Sequence, residues 1–167
     1  MGANYRKVAP QTVDAYLSAL TDSFIVYRAG RYDVRGKQFL QTQQKYYLVD
    51  TGLRAALLGD KGEVDKGRLL ENVVYLELLR RRNDVWVGKS DVGEIDFVAK
   101  NRASGEFVYY QVADTVVDKA VLERELKPLQ NTRDHNPRLL LTKDLGEYNF
   151  DGIKQVNVID WLLQGSL

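Results

Sequence analysis

The chain has 167 residues, which is enough for one sizeable domain or two small ones, and its 44% hydrophobic and 28% charged residues are typical of globular proteins. It has no cysteine and no apolar run long enough to cross a membrane, so disulfides and thiolate metal sites are excluded and we expect a cytoplasmic protein without membrane contacts. The net charge of +1 is low for a dedicated nucleic-acid module, so any nucleic-acid binding must come from a local patch.

The first predicted unit, residues 1–58, consists of a helix, a β-hairpin and a second short helix. Helical spacing of apolar residues follows Pro10, and the predicted strands at 24–27 and 45–50 flank a basic tip at 31–37. A helix followed by a basic hairpin is the order of the second half of a winged helix-turn-helix, whose wing contacts the nucleic-acid backbone. We therefore expect a partial winged-helix unit, with nucleic-acid contacts from the tip residues Arg31, Arg35 and Lys37. The ordinary alternative is a solvated hairpin tip.

Residues 59–66 contain two of the three glycines of a polar stretch that ends at Gly67, and they are predicted to link this unit to a second one, residues 67–167. The second unit begins with a helix at 67–82 and three strands at 84–89, 94–100 and 106–113. A crossover helix from about residue 118 precedes a strand at 138–142. The order is α-β-β-β-α-β, an α/β fold with a small mixed sheet, and a final strand and helix are appended. Short turns favour an antiparallel meander, and the crossover favours parallel flanking strands.

Two carboxylates occupy positions where acidic residues are costly. Glu71 shares the apolar stripe of its helix with Val74 and Leu78, so it should face the sheet. Asp96 lies inside a strand, and Asp is a poor strand former. Buried carboxylates must be paired, protonated or bound to a cation. The simplest alternative is a pair of structural carboxylates held by backbone N–H groups or by arginine.

Three segments resemble the PD-(D/E)XK nuclease superfamily: Gly67-x-x-x-Glu71 on the first helix, Gly93-Glu94-Ile95-Asp96 on the second strand, and Gln111-Val112-Ala113 on the third. The resemblance implies a restriction-endonuclease-like core. It also implies a catalytic site at Glu71, Asp96 and Gln111, in which Glu71 and Asp96 bind Mg²⁺ or Mn²⁺. In that family a metal-activated water hydrolyses a phosphodiester while a lysine stabilises the developing charge.

The chain also resembles the C-terminal region of prokaryotic AAA-type ATPases, a domain of unknown function in that family. The resemblance is carried by three segments in the family's order: 45–53, 67–72 and 94–98. It implies that an ATPase domain precedes this region and is its partner. The sequence contains no Gly-x-x-x-x-Gly-Lys-Ser/Thr loop, so no ATP site of that type is expected within it.

The third strand departs from the nuclease pattern, because Gln111 replaces the acidic residue and Ala113 replaces the lysine. Metal affinity and the rate of cleavage should both fall, unless Glu94 assists or a lysine from another element replaces the missing one. Lys89, Lys100 and Lys119 are the candidates considered. Two hypotheses follow: a domain that binds or processes DNA or RNA with weakened or lost cleavage, or a non-catalytic module that docks the ATPase or another protein.

Overall fold

The computed structural model describes residues 8–58 and 66–164, without the side chains of 41–43, 54, 55, 57 and 58. The helices are α1 (Pro10–Asp22), α2 (Thr51–Leu58), α3 (Lys66–Arg80), α4 (Lys119–Gln130) and α5 (Val158–Leu163). The strands are β1 (Val26–Asp33), β2 (Gln38–Leu48), β3 (Asn83–Ser90), β4 (Gly93–Asn101), β5 (Phe107–Val112), β6 (Arg138–Thr142), β7 (Tyr148–Phe150) and β8 (Ile153–Asn157). The predicted α/β class is confirmed. The predicted linker lies outside the described residues except for Lys66, where α3 begins.

Within the described residues the strands form one mixed sheet in the order β2-β1-β3-β4-β5-β6-β8-β7. The β3–β4 and β4–β5 pairs are antiparallel, and α4 connects the parallel strands β5 and β6, as the turn lengths and the crossover predict. The hairpin of the first predicted unit belongs to the same sheet, because β1 runs parallel to β3 and the two pair from Arg31–Val87 to Asp33–Lys89. The two predicted units therefore share one sheet.

Helices cover both faces of the sheet. On one face, Leu70, Val74 and Leu78 of α3 pack with Trp161 of α5 against the strands. On the other face, Leu126 and Leu129 of α4 pack against a second apolar cluster. Burial of an aliphatic side chain of this size contributes about 1.5–3 kcal/mol, so α3 is fixed firmly over the sheet. Among the described residues, no helix combines the length and apolarity needed to span a membrane.

A β-bulge in β4 sets the direction of the side chains near Asp96. The pairing with β3 passes from Trp86–Val98 to Gly88–Ile95, so two residues of β4 oppose one of β3. Gly88 is required here, because a Cβ at this position would lie 2.8 Å from the Cβ of Ile95. Past the bulge, Phe97 packs on the α3 side, whereas Ile95 and Val98 pack on the α4 side. The bulge therefore changes the alternation of β4 at Asp96.

The C-terminal half differs from the sequence-based expectation in one place. A short strand, β7, was not predicted, and it pairs antiparallel with β8 at the sheet edge. Asp118 starts α4 by accepting hydrogen bonds from the backbone N–H groups of Ala120 and Val121.

Candidate functional site

Glu71 of α3 is held over the sheet by two side chains of β2. Its Oε1 accepts a hydrogen bond from the hydroxyl of Tyr47 at 2.6 Å and from Nζ of Lys45 at 3.1 Å. Lys45 and Tyr47 are two apart on the strand, so they share the sheet face that α3 covers. The predicted orientation of Glu71 toward the sheet is thus observed, and its side chain is 17% exposed.

Asp96 and Gln111 lie where β4 and β5 stop pairing through their backbones. The ladder ends at Phe97–Tyr110, and beyond it side chains supply the hydrogen bonds. Oδ2 of Asp96 accepts from the backbone N–H of Val112 at 2.8 Å, and Oε1 of Gln111 accepts from the backbone N–H of Asp96 at 3.3 Å. These two side chains therefore bridge β4 and β5 where the backbone ladder ends.

The pKa of Asp96 is raised from its ordinary value to about 8. Burial is the largest cause, and the negative charge of Glu71 is the next. The Val112 N–H and the Lys45 ammonium act in the opposite direction without offsetting these effects. Two carboxyl groups that repel each other in this way share a proton or attract a cation. The structure thus brings Glu71 and Asp96 within electrostatic reach of each other.

The cation beside these carboxylates is Lys45, which the sequence analysis missed. Its Nζ lies 2.5 Å from Oε1 of Glu94 in addition to its contact with Glu71. Glu94 in turn pairs with Arg31 at 2.7 Å. The sequence does show that Lys45 and Tyr47 share one face of β2. It does not show that β2 lies beneath α3, so their contact with Glu71 could not be predicted.

Two of the lysines considered from the sequence are engaged elsewhere. Lys119 is 88% exposed and pairs with Glu123 on its own helix at 3.8 Å. Nζ of Lys100 lies 5.5 Å from the centroid of the Phe107 ring. Lys89 is exposed on β3. Lys45 is therefore the lysine that contacts the predicted site residue Glu71.

Tyr47 is a fixed hydrogen-bond donor to Glu71. Its side chain is buried and its ring stacks on Tyr75 with centroids 4.1 Å apart. Burial, followed by the charge of Glu71, raises the pKa of its hydroxyl far above the ordinary range. The hydroxyl therefore keeps its proton and orients the carboxylate.

Gln111 is buried and connects the site to α4. Its Nε2 donates to Oε2 of Glu125 at 2.9 Å, and Glu125 also pairs with Arg124 at 2.7 Å. Glu71 and Asp96 are hard oxygen donors of the kind that Mg²⁺ and Mn²⁺ prefer, whereas the amide oxygen of Gln111 is directed at a backbone N–H. In the described ranges no three acidic, histidine or cysteine residues are grouped closely enough to hold a metal ion.

The three cations predicted for the hairpin tip lie in two different places. Arg31 lies in β1, not at the tip, and its side chain is only 16% exposed beside Glu94. Arg35 is in the turn and pairs with Asp91 at 2.6 Å, and Lys37 is exposed in the same turn. Because β1 pairs in parallel with β3 as far as Asp33, the strand is longer than predicted and Arg31 lies within the sheet.

Comparisons with known proteins match part of the chain to a domain of unknown function and most of it to segments of longer proteins. A family described as "Domain of unknown function (DUF8612)" matches residues 3–63. An "Uncharacterized protein" of Haemophilus influenzae is 42% identical over 154 residues, which cover 92% of this chain and 37% of the relative. "Uncharacterized protein MJ1544" of Methanocaldococcus jannaschii is 24% identical over 160 residues, which cover 92% of this chain and 34% of that relative. The chain thus spans about a third of each relative's length. No solved structure is a significant match.

Proposed function

We propose that this chain is a nuclease-like domain of the PD-(D/E)XK type that binds or processes nucleic acid as part of an AAA-type ATPase, with weakened metal-dependent cleavage. The observation that carries the proposal is the position of Asp96 and Gln111 where the β4–β5 ladder ends, within electrostatic reach of Glu71. Two carboxyl groups so close together, one of them buried, are the arrangement expected of a remnant cation site.

The order of the elements supports the same proposal. From α3 onward, the helix that carries Glu71 is followed by the antiparallel strands β3, β4 and β5, then by α4 and the parallel strand β6. This is the order that the nuclease resemblance implies. Asp96 on β4 and Gln111 on β5 occupy the strands that the resemblance requires.

Glu71 and Asp96 are the residues that would hold Mg²⁺ or Mn²⁺. The ion, when bound, would supply a water of lowered pKa and neutralise charge on the phosphodiester. Tyr47 orients Glu71, and Lys45 provides the positive charge that position 113 lacks. Lys45 also neutralises Glu71, and the neutral Gln111 adds no negative charge. Both features lower the affinity for a divalent cation, which is why the proposed activity is weak.

Incubation of single- and double-stranded DNA and RNA with Mn²⁺ tests the catalytic part. We expect slow cleavage by the wild type, none by Asp96→Ala, and unchanged cleavage by Glu106→Gln, an exposed carboxylate in the β4–β5 turn. Mn²⁺ should also raise the melting temperature of the wild type and of Glu106→Gln, but not that of Asp96→Ala. Equal cleavage by the wild type and Asp96→Ala would refute a catalytic role of this site.

A non-catalytic interaction module is the second candidate, and α1 favours it. This helix has no buried residue and exposes Tyr16 at 66% and Val13 at 43% of their surface. Unpartnered apolar helix faces are typical of surfaces that dock another protein. The absence of both a Mn²⁺-dependent melting shift and salt-sensitive nucleic-acid binding would favour this candidate over the nuclease-like one.

A further inference from the structure

Four aromatic rings lie side by side on the sheet face that carries α4, and we refer to Tyr32, Phe39, Trp86 and Phe107 as the aromatic platform. The ring centroid of Phe39 lies 4.9 Å from that of Trp86 and 5.4 Å from that of Tyr32. Tyr32 stacks on Phe107 with centroids 5.7 Å apart. Tyr32 is buried, Trp86 and Phe107 are half-buried, and Phe39 is 60% exposed. The platform therefore presents aromatic surface to solvent.

The helix α4 covers only part of this sheet face. It packs against β4, β5, β6 and β8, whereas three of the four platform rings come from β1, β2 and β3. One helix is about 10 Å wide, so it cannot cover eight strands that are about 4.8 Å apart. The Phe39 side of this face thus extends beyond α4 and offers an apolar surface of the kind that binds a partner.

A cleft of about 450 Å³ borders the platform at Trp86. It forms because β1 and β3 pair only from Arg31–Val87 onward, so the preceding residues of the two strands are not joined by backbone hydrogen bonds. Tyr27, Arg28 and Trp86 are among the residues that line it. A volume of this size is in the range of small-ligand sites, so the cleft has room for one nucleotide.

Two cations border the platform without carboxylate partners. Arg28 is exposed, and Nζ of Lys100 lies 5.5 Å from the centroid of the Phe107 ring. Neither cation forms an ion pair with a carboxylate in the part of the chain that the structure describes. Asp84, the carboxylate that lines the same cleft as Arg28, is held by Arg102 at 2.8 Å. This side of the platform therefore complements the negative charge of a phosphate.

The carboxylates at the other end of the platform are engaged within the protein. Burial, followed by the charges of Asp134 and Asp33, raises the pKa of Tyr32. Asp134 accepts from the hydroxyl of Tyr109 at 2.7 Å, and Asp33 accepts from the backbone N–H of Gly36 at 3.0 Å. Negative charge is thus concentrated at the Tyr32 end, and a polyanion is directed toward the opposite end of β1.

We propose that the aromatic platform binds single-stranded nucleic acid. The exposed parts of Phe39 and Trp86 stack on bases, while Arg28 and Lys100 contact backbone phosphates. Stacking on aromatic side chains, combined with cations along the backbone, is how proteins bind single strands without reading their sequence. The bases of a duplex are already stacked on one another and cannot stack on these rings. The inference rests on the nucleic-acid part of the proposed function and names single strands as the substrate class.

The platform and the candidate site are on opposite faces of the sheet. Glu71 belongs to α3, which covers one face, and the platform packs with the α4 cluster on the other. Binding at the platform therefore does not require Glu71 or Asp96, and the two can be tested separately.

Fluorescence anisotropy with labelled oligonucleotides of about 20 nucleotides, as single-stranded DNA, single-stranded RNA and duplex DNA, tests the inference. The wild type should bind a single strand more tightly than the duplex. Phe39→Leu removes the exposed ring but keeps an apolar side chain, and it should weaken binding about tenfold. Tyr148→Leu is the matched control and should bind as the wild type does, because Tyr148 is 56% exposed on β7 at the other edge of the sheet.

The salt dependence of binding tests the phosphate contacts. Arg28→Gln should lower the slope of log affinity against log salt by about one, and Arg28→Lys should keep most of that slope because it keeps the charge. Lys127→Gln is the control, since it removes an exposed positive charge from α4 outside the platform.

The fluorescence of Trp86 reports on stacking directly. The chain has two tryptophans, so in a Trp161→Phe variant the emission comes from Trp86 alone. A single-stranded oligonucleotide should quench this emission over the same concentration range in which anisotropy rises. Melting temperatures of all variants show whether a loss of binding is a loss of folding.

The outcomes separate this inference from the proposed function. Equal affinity for the wild type and Phe39→Leu, an equal loss in Tyr148→Leu, or a duplex bound as tightly as a single strand would overturn the platform even if Mn²⁺-dependent cleavage is observed. Platform-dependent binding with equal cleavage by the wild type and Asp96→Ala would support the platform and overturn the catalytic part of the proposed function. Absence of nucleic-acid binding by the wild type would overturn both, and it is the result expected if these rings dock a protein.

Discussion

Two glutamates of α3, Glu71 and Glu77, show how the surroundings of a carboxylate decide its role. Glu77 accepts from Arg80 at 2.6 Å and from Arg81 at 2.7 Å, and the Arg80 hydrogen bond is the largest cause of its lowered pKa. Glu71 instead has one lysine, which it shares with Glu94, and it raises the pKa of Asp96. Two arginines thus hold the single carboxylate of Glu77, whereas Glu71 shares one lysine with Glu94 and repels a second buried carboxyl group.

The Glu77 cluster has a structural task that the sequence did not reveal. The Glu77 side chain is only 10% exposed. Arg81 also donates to the carbonyl of Trp161 and to that of Gln164, and its guanidinium lies 4.1 Å from the Trp161 ring centroid. The sequence did not reveal this task because α5, far along the chain, covers this part of α3. Glu77 thus holds Arg81 against α5, whereas Glu71 accepts hydrogen bonds from Lys45 and Tyr47.

Leu78→Ala should have the largest effect, because it removes the packing that both clusters depend on. Leu78 is fully buried in α3 beside the strands. Truncation to alanine leaves a cavity and should lower the free energy of unfolding by about 2–5 kcal/mol. Urea unfolding measures this loss. Leu145→Ala is the control, since Leu145 is 86% exposed. A loss as small as that of the control would show that α3 is not firmly packed.

Asp96→Asn should change the pH dependence of stability. Folded Asp96 holds its proton up to about pH 8, whereas the unfolded residue releases it near 3.8. The folded state therefore binds more protons in this interval, and the wild-type free energy of unfolding falls as pH rises through it. Asparagine stays neutral and can still accept from the Val112 N–H. The variant should gain up to about 1.4 kcal/mol relative to the wild type for each pH unit between pH 5 and pH 8.

Urea unfolding of both proteins between pH 5 and pH 9, at about one-unit intervals, measures this difference. The gap between the two curves should widen in favour of Asp96→Asn as pH rises and level off above about pH 8. Parallel curves would mean that Asp96 titrates normally. The contrast between the Glu71–Asp96 site and the Glu77 cluster would then disappear.

Glu77→Gln should change the free energy of unfolding less than Asp96→Asn does, and the effect of pH should have the opposite sign. Its lowered pKa means that the stabilisation is fully present above the ordinary value of 4.5 and is lost as pH falls through the folded value. At pH 7 the variant should lose about 1–2 kcal/mol, because Arg81 keeps its charge without its partner. Urea unfolding followed by tryptophan fluorescence measures the loss at α5. Glu123→Gln is the control, because its pair with Lys119 is exposed. Equal losses in the two variants would contradict the structural role of Glu77.

Local patterns predicted much of the second half of the chain. The stripe shared by Glu71, Val74 and Leu78 and the acidic residue inside β4 both follow from side-chain periodicity, which the sequence displays directly. Short turns also determined the β3–β4–β5 meander. These features depend on neighbours within a few residues, so a single sequence contains them.

Long-range pairings were not predictable in the same way. The contact of Lys45 with Glu71 depends on β2 lying beneath α3, and the parallel pairing of β1 with β3 joins segments more than 50 residues apart. The β4 bulge depends on Gly88 of the neighbouring strand. Each of these is a choice of partner, and periodicity along one segment contains no information about the partner. Arg31 was assigned to the hairpin tip for that reason.

Arg35→Gln should have the smallest effect on stability. Its exposed ion pair can be compared with the less exposed ion pairs of Glu71 and Glu77 on α3. Its pair with Asp91 is 58% and 47% exposed, and such pairs contribute less than about 1 kcal/mol. Urea unfolding should therefore barely change. If Arg35 makes no contact with nucleic acid, the salt dependence of oligonucleotide binding should also be unchanged. A drop of about one in the slope of log affinity against log salt, relative to the wild type, would show that the hairpin turn contacts phosphate.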